Sequence, residues 1–204
     1  MKKIIFLLLA VAIVFAGYWF FNKKQQQQVA KPERQQAITT NSHSTAFNQQ
    51  IDLLLQHYFD MKAALVEADA EKVKQVAPLL IAAAQIDTAG LQQTSSEVAA
   101  SVSVFLGDVQ SNAASLLLQT DITEMRQDFR MISESLYPLL KSMHYEGATL
   151  YWQNCPMAFG SGKDASWLSN TAAIVNPYLG NNHPKYKAAM LDCGEVVDSI
   201  KAVQ

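Results

Sequence analysis

The stretch His144–Gly180, HYEGATLYWQNCPMAFGSGKDASWLSNTAAIVNPYLG, decides what kind of fold this chain can have. Upstream of it the sequence reads as helix; here the helical period stops. Gly, Pro, Asn and aromatic residues take over, "TLYW" (Thr149–Trp152) has extended character, and "NPYLG" and the following "NNHPK" are turn chemistry. Pro184 is placed to start a short helix to about Asp192, with Gly194 just past its end. The segment is too short and loop-rich for a core of its own, so it is expected to wrap what precedes it.

What precedes it carries four apolar stripes at helical spacing. Phe47, Ile51, Leu54, Tyr58, Met61 and Leu65 alternate by three and four within about Thr45–Ala68. Asp69 can cap a second helix with Val73, Val76, Leu80 and Ala84 on one face, and Pro78 inside it is expected to kink it. "TSSE" (Thr94–Glu97) is a capping-box pattern before Val98, Val102, Phe105, Val109, Ala113 and Leu116. "DITE" (Asp121–Glu124) opens the fourth, striped by Ile122, Met125, Phe129, Ile132, Leu136, Leu139 and Met143. Short connections between four such helices predict an all-α fold: an antiparallel four-helix bundle with a loop-rich C-terminal wrap and a short extra helix.

The other end of the chain bears on location. Lys2 and Lys3 precede an uncharged apolar run, Ile4–Phe21, closed by Tyr18, Trp19, Phe20 and Phe21. Eighteen residues of helix span about 27 Å, close to the hydrocarbon thickness of a bilayer, and the aromatic end suits an interface. The expectation is an uncleaved inner-membrane anchor over residues 1–21; the alternative is a signal peptide removed on export to the periplasm. A polar, Gln-rich tether follows at 22–44, and the domain proper occupies 45–204. The first 24 residues hold four lysines and no acids, so the remainder falls from a net −2 to near −6 and lacks the basic stripe that a nucleic-acid partner needs.

Cys155 and Cys193 are the only cysteines, each with a methionine near it: Met157 and Met190. Two readings stand. In an extended segment Cys155 and Met157 share a side, and on a last helical turn Met190 and Cys193 face the same way. Two thiolates with one or two thioethers would suit Cu(I), and His183 could add an imidazole. In the other reading Cys155 and Cys193 form a disulfide, which an exported protein permits, and the methionines fill core. Closing the 39-residue loop from Cys155 to Cys193 is worth roughly 4 kcal/mol in the chain-entropy account. Both readings require the two sulfurs to meet, and they exclude one another at any one moment because a disulfide has no thiolate to offer.

Enzymatic signals are missing. There is no Glu-x-x-His for a di-iron bundle, no Cys-x-x-Cys, and no G-x-S-x-G elbow; "GSGKD" (Gly160–Asp164) lacks Walker spacing and reads as a surface loop. A binding role rather than an enzyme is expected.

The ordered motifs "CPMA", "WLS", "NPYLG" and "MLDCGEV", with looser upstream matches at "HYFDMKAALVEADAEKV" and at Arg126, Phe129 and Ser133, resemble the bacterial family catalogued as domain of unknown function 3347, over roughly residues 50 to 197. Members are exported, as single domains or attached to periplasmic adaptor subunits of heavy-metal efflux systems. The resemblance implies a copper-binding or efflux-accessory role with a metal-efflux or other envelope protein as partner. The runner-up is a disulfide-stapled interaction domain without metal. Roles for His183 and Tyr186, in the long stretch between "NPYLG" and "MLDCG", are not carried over.

Overall fold

A computed structural model describes residues 43–91 and 95–201, all within one compact unit, Thr39–Gln204. The apolar run Ile4–Phe21 and the tether up to Ser42 lie outside the described residues, as does Thr94 of the "TSSE" pattern.

Four helices form, each opened by a polar cap: α1 Thr45–Val66, α2 Ala70–Ala83, α3 Ser96–Leu118 and α4 Ile122–Ser142. Ser44 accepts from the Phe47 amide, Asp69 from Lys72 and Asp121 from Thr123, each satisfying one of the amide groups a helix start leaves unpaired. α3 starts one residue later than a box on Thr94 implies: Ser95 is the cap and accepts from Val98. α2 runs continuously through Pro78. The predicted stripes are the core: all six named residues of α1, all four of α2, and every one from Met125 to Met143 on α4 are buried. On α3 the stripe centres on Val102, Leu106, Val109, Ala113 and Leu116, with Val98 and Phe105 only partly covered. Consecutive helices pack on one another, and α1 meets α4 through Tyr58 stacked on Phe129, ring centroids 4.9 Å apart. Folding begins slightly before the expected domain start. His43 is buried, donates from Nε2 to the Met143 carbonyl (2.6 Å), and lies 5.4 Å from the Phe47 ring.

The tail overturns the all-α expectation. It builds a three-stranded antiparallel sheet in the order β2–β1–β3, from β1 Leu150–Cys155, β2 Ala165–Ser169 and β3 Glu195–Ile200, so the fold is mixed α/β. The register sets Trp152 opposite Leu168, Gln153 opposite Trp167 and Cys155 opposite Ala165; on the other edge Leu150 faces Ile200, with an irregularity at Trp152/Gln153. Because side chains alternate, one face presents Trp152, stacked 4.4 Å from Tyr137 of α4, and the other presents Gln153, Cys155 and Trp167. The second face is covered by the crossover, residues 170–194, that returns the chain to β3. Gln153 Nε2 donates to the carbonyls of Thr171, Ala172 and Ala173, and Tyr178 meets Trp167 edge-on at 5.9 Å.

The short extra helix after Pro184 is likewise absent. Only a single 3-10 turn, Ala188–Met190, forms there. Lys187 adopts φ +52°, ψ −134°, and its amide donates to the His183 carbonyl (2.9 Å), closing residues 183–187 into a loop that no α-helix can pass through.

Candidate functional site

The cysteines at the centre of the sequence argument do meet. Cys155 ends β1, Cys193 follows the 3-10 turn, and the two are joined as a disulfide with Cα atoms 5.7 Å apart. Gly194 makes the approach possible: at φ +143°, a Cβ there would stand 2.8 Å from the Asn154 carbonyl oxygen and 2.9 Å from the Trp167 ring. In this state neither sulfur is a thiolate, so the cysteines do not fit a soft-metal ligand set. Among the described residues there is no group of three or more His, Cys, Asp or Glu able to hold a metal ion. Met190 is half-buried against the core beside Cys193, and Met157 packs partly on the core from the loop after Cys155.

The remaining motif residues turn out to be joinery between that loop-rich tail and the helices. Asn176 is buried; its Oδ1 accepts from the amides of Tyr178 (2.8 Å) and Leu179 (3.0 Å), while its Nδ2 donates to the Cys193 carbonyl (2.7 Å). The turn it shapes delivers Gly180 and Asn181 to the C-terminal end of α1. There the Asn181 amide donates to Val66 O (2.7 Å) and Asn182 Nδ2 to Glu67 O (2.9 Å), satisfying carbonyls that a helix end leaves open. Arg126 completes this cap from α4. It is 1% exposed, and its guanidinium donates to Leu65 O (2.9 Å) and Pro177 O (3.0 Å), placing a cation at the negative end of the α1 dipole. Tyr58 and Ser133 form a second tie. The Leu168 amide donates to Tyr58 Oη (3.0 Å), Tyr58 to Ser133 Oγ (2.7 Å), and Ser133 to Phe129 O (2.9 Å), so every polar atom of this buried chain is paired. Burial pushes the Tyr58 phenol well above its ordinary range.

Between the N-terminal half of α4, the β1–β2 loop (residues 156–164) and the far part of the crossover lies a groove of about 770 Å³. Helix α4 contributes Arg126, Asp128, Arg130 and Met131; the loop contributes Met157, Phe159, Lys163 and Asp164. The crossover adds His183, Lys185 and Tyr186. Two of the five predicted ligand residues, Met157 and His183, therefore share this groove, while Cys155, Cys193 and Met190 do not line it. His183 Nδ1 accepts from the amides of Lys185 and Tyr186, both at 3.2 Å, and the ring stacks on Tyr186 at 4.9 Å. Partial burial, then the charges of Arg126 and Lys185, hold its pKa below the usual imidazole value. The groove escaped sequence reasoning because its walls come from three separated segments.

These features define a class: a helical layer carrying a disulfide-stapled antiparallel sheet, with an open groove where the two join. The model of a family described as a protein of unknown function (DUF3347) matches residues 54–147, and over that span the chain resembles the family. The match includes "HYFDMKAALVEADAEKV" and Arg126, Phe129 and Ser133, but ends before "CPMA", so the tail motifs fall outside it. No curated protein and no solved structure matches the chain.

Proposed function

We propose that this domain is a disulfide-stapled binding module of the cell envelope, not an enzyme, and that it offers the α4 groove to another envelope protein. One observation carries the reading: both tail segments that wall the groove run into the staple. The β1–β2 loop leaves directly from Cys155, and the crossover ends at Cys193. A disulfide persists where the surroundings are oxidising, which supports placing the domain in the periplasm, tethered to the inner membrane by Ile4–Phe21. The family resemblance suggests an efflux adaptor subunit as a candidate partner. The test is site-specific photo-crosslinking in intact cells from Gln127, on the groove wall, with Val104 on the exposed side of α3 as control. A discrete adduct from Gln127 alone is expected; equal or no adducts at both positions reject the reading.

A second reading concerns the reduced protein. Two thiols whose Cα atoms lie 5.7 Å apart, with Met157 and Met190 close in sequence, have the donor chemistry for Cu(I) once the bond is broken. Thiol labelling of protein taken from the envelope separates the two: labelling only after reductant supports the staple, and labelling before it supports the soft-metal site. If the metal reading holds, reduced protein takes up Cu(I) against a moderate-affinity chelator and the double serine variant does not.

A further inference from the structure

We infer that the α4 groove recognises a short acidic peptide segment carrying apolar side chains. This rests on the reading of the groove as a docking surface and assigns the chemistry of its occupant. The observation is a segregation of charge. Residues 43–201 contain ten Lys and Arg against seventeen Asp and Glu, a strongly acidic surface. Yet four of those ten cations, Arg126, Arg130, Lys163 and Lys185, line the groove, with only two carboxylates, Asp128 and Asp164.

Those two carboxylates keep their charge, since their donors are neutral, but are held by side chains that do not line the groove. Asp128 accepts from Ser115 Oγ (3.3 Å) and Gln119 Nε2 (2.9 Å), and Asp164 accepts from Asn154 Nδ2 (3.1 Å). Among the cations, Arg126 serves the Leu65 and Pro177 carbonyls and Arg130 pairs with Glu134 at 2.7 Å. Lys163 and Lys185 form no ion pair among the described residues, and both are exposed, one from each loop. A ligand spanning the groove therefore meets an ammonium on either wall, with Met131, Met157 and Phe159 providing apolar contact between them. Clustered cations around an apolar floor are how acidic motifs are recognised, and a groove of this volume is ample for several residues of extended chain. The chain's own segment 22–42 is a poor occupant: Lys23, Lys24, Lys31 and Arg34 against Glu33 give it the same sign as the groove.

The test uses the disulfide-intact full chain and a fluorescein-labelled octapeptide alternating Glu and Leu, followed by anisotropy, with its Gln and Lys counterparts, the 22–42 peptide and citrate as competitors. The Glu peptide is expected to bind saturably, at least tenfold more tightly than the Gln peptide, and to weaken at least tenfold in K163E/K185E and less in the milder K163Q/K185Q. Circular dichroism checks that these exposed substitutions leave the fold intact. Equal binding of Glu and Gln peptides, or preference for the Lys or 22–42 peptide, overturns the acidic assignment while leaving the docking surface standing. Displacement of the Glu peptide by micromolar citrate would make it a small-anion site instead. Self-association lost in K163E/K185E, without peptide binding, would assign the groove to a second copy. No binding of any peptide, together with a failed Gln127 crosslink, removes both proposals.

Discussion

The helical layer and the C-terminal sheet with its crossover are built on different physics. In α1 to α4 stability is spread along apolar stripes: Phe47 to Leu65, Val73 to Ala84 and Met125 to Met143 are interchangeable in kind, and each adds its share of buried surface. The tail buries apolar side chains too, Leu150, Trp167, Leu168, Tyr178 and Leu179 among them, but its course is set by a few bonds that nothing else replaces. Gln153 is held by three crossover carbonyls, Asn176 by a turn and the Cys193 carbonyl, and the crossover by one disulfide. A distributed region tolerates conservative change at most positions and fails when charge enters it. A concentrated region is indifferent to most of its surface and fails at a handful of atoms.

The largest expected effect attacks the distributed region. Leu136 is fully buried on α4, so Leu136→Asp places an unpaired charge in the core and should cost more than about 4 kcal/mol, read as loss of cooperative unfolding by circular dichroism. A variant as stable as the parent would mean that α4 turns another face inward. The next attacks the concentrated region. Replacing Cys155 and Cys193 with serine should destabilise the tail by roughly 4 kcal/mol under oxidising conditions, followed by the fluorescence of Trp152 and Trp167 in the sheet while the helical circular-dichroism transition moves little, and should change little when the parent protein is also reduced.

Gly180→Ala should rank third. Gly180 holds φ +53°, and a Cβ there overlaps the Val66 carbonyl oxygen, so the cap on α1 must shift at a cost of about 2–3 kcal/mol. An unchanged unfolding midpoint would show that the turn is not held against α1. The smallest effect is electrostatic. Lys141 Nζ, then the Tyr137 hydroxyl, then the Ser199 amide hold Asp198 down to a pKa of about 2 from an ordinary 3.8. A depressed carboxyl pKa means the folded state binds fewer protons than the unfolded. The contribution is therefore present above pH 3.8 and lost as the pH falls towards 2. The pair is well exposed, so solvent screening keeps the effect small. Comparing acid unfolding of Asp198→Asn with the parent should show a shallower decline between those pH values; identical curves would remove the Lys141–Asp198 bridge as a contributor.

The same contrast explains what could be read from the sequence. The helical stripes were legible because period 3.6 survives wherever one face is buried and the other wet. Caps at Asp69 and Asp121 were legible for the same local reason. The sheet was not, although Thr149–Trp152 showed extended character. Alternation marks a strand with one dry face, but β2 is buried at Ala165, Trp167, Leu168 and Ser169, so both faces are covered and no period remains. In β1 the buried Gln153 looks like a loop residue until its three carbonyl partners are known. β3 begins with three exposed residues, including Val196 and Val197, and gives no apolar face to count. The meeting of Cys155 with Cys193 was foreseeable because both leading readings of the pair, disulfide and shared metal, demanded it. The helix after Pro184 failed at Lys187, whose positive φ no residue type announces. The groove, assembled from α4 and two loops distant in sequence, is a property of the tertiary fold alone.

Hydrogen exchange of the domain before and after reduction tests the central claim that a staple fixes the tail on a helical layer stable without it. The account predicts that reduction raises exchange in β1, in β3 and from Asn176 to Cys193, while amides in the middle of α1, α3 and α4 keep their protection. Loss of protection in those helices to the same extent as the tail would contradict it, and so would a tail whose exchange is unchanged when Cys155 and Cys193 are reduced.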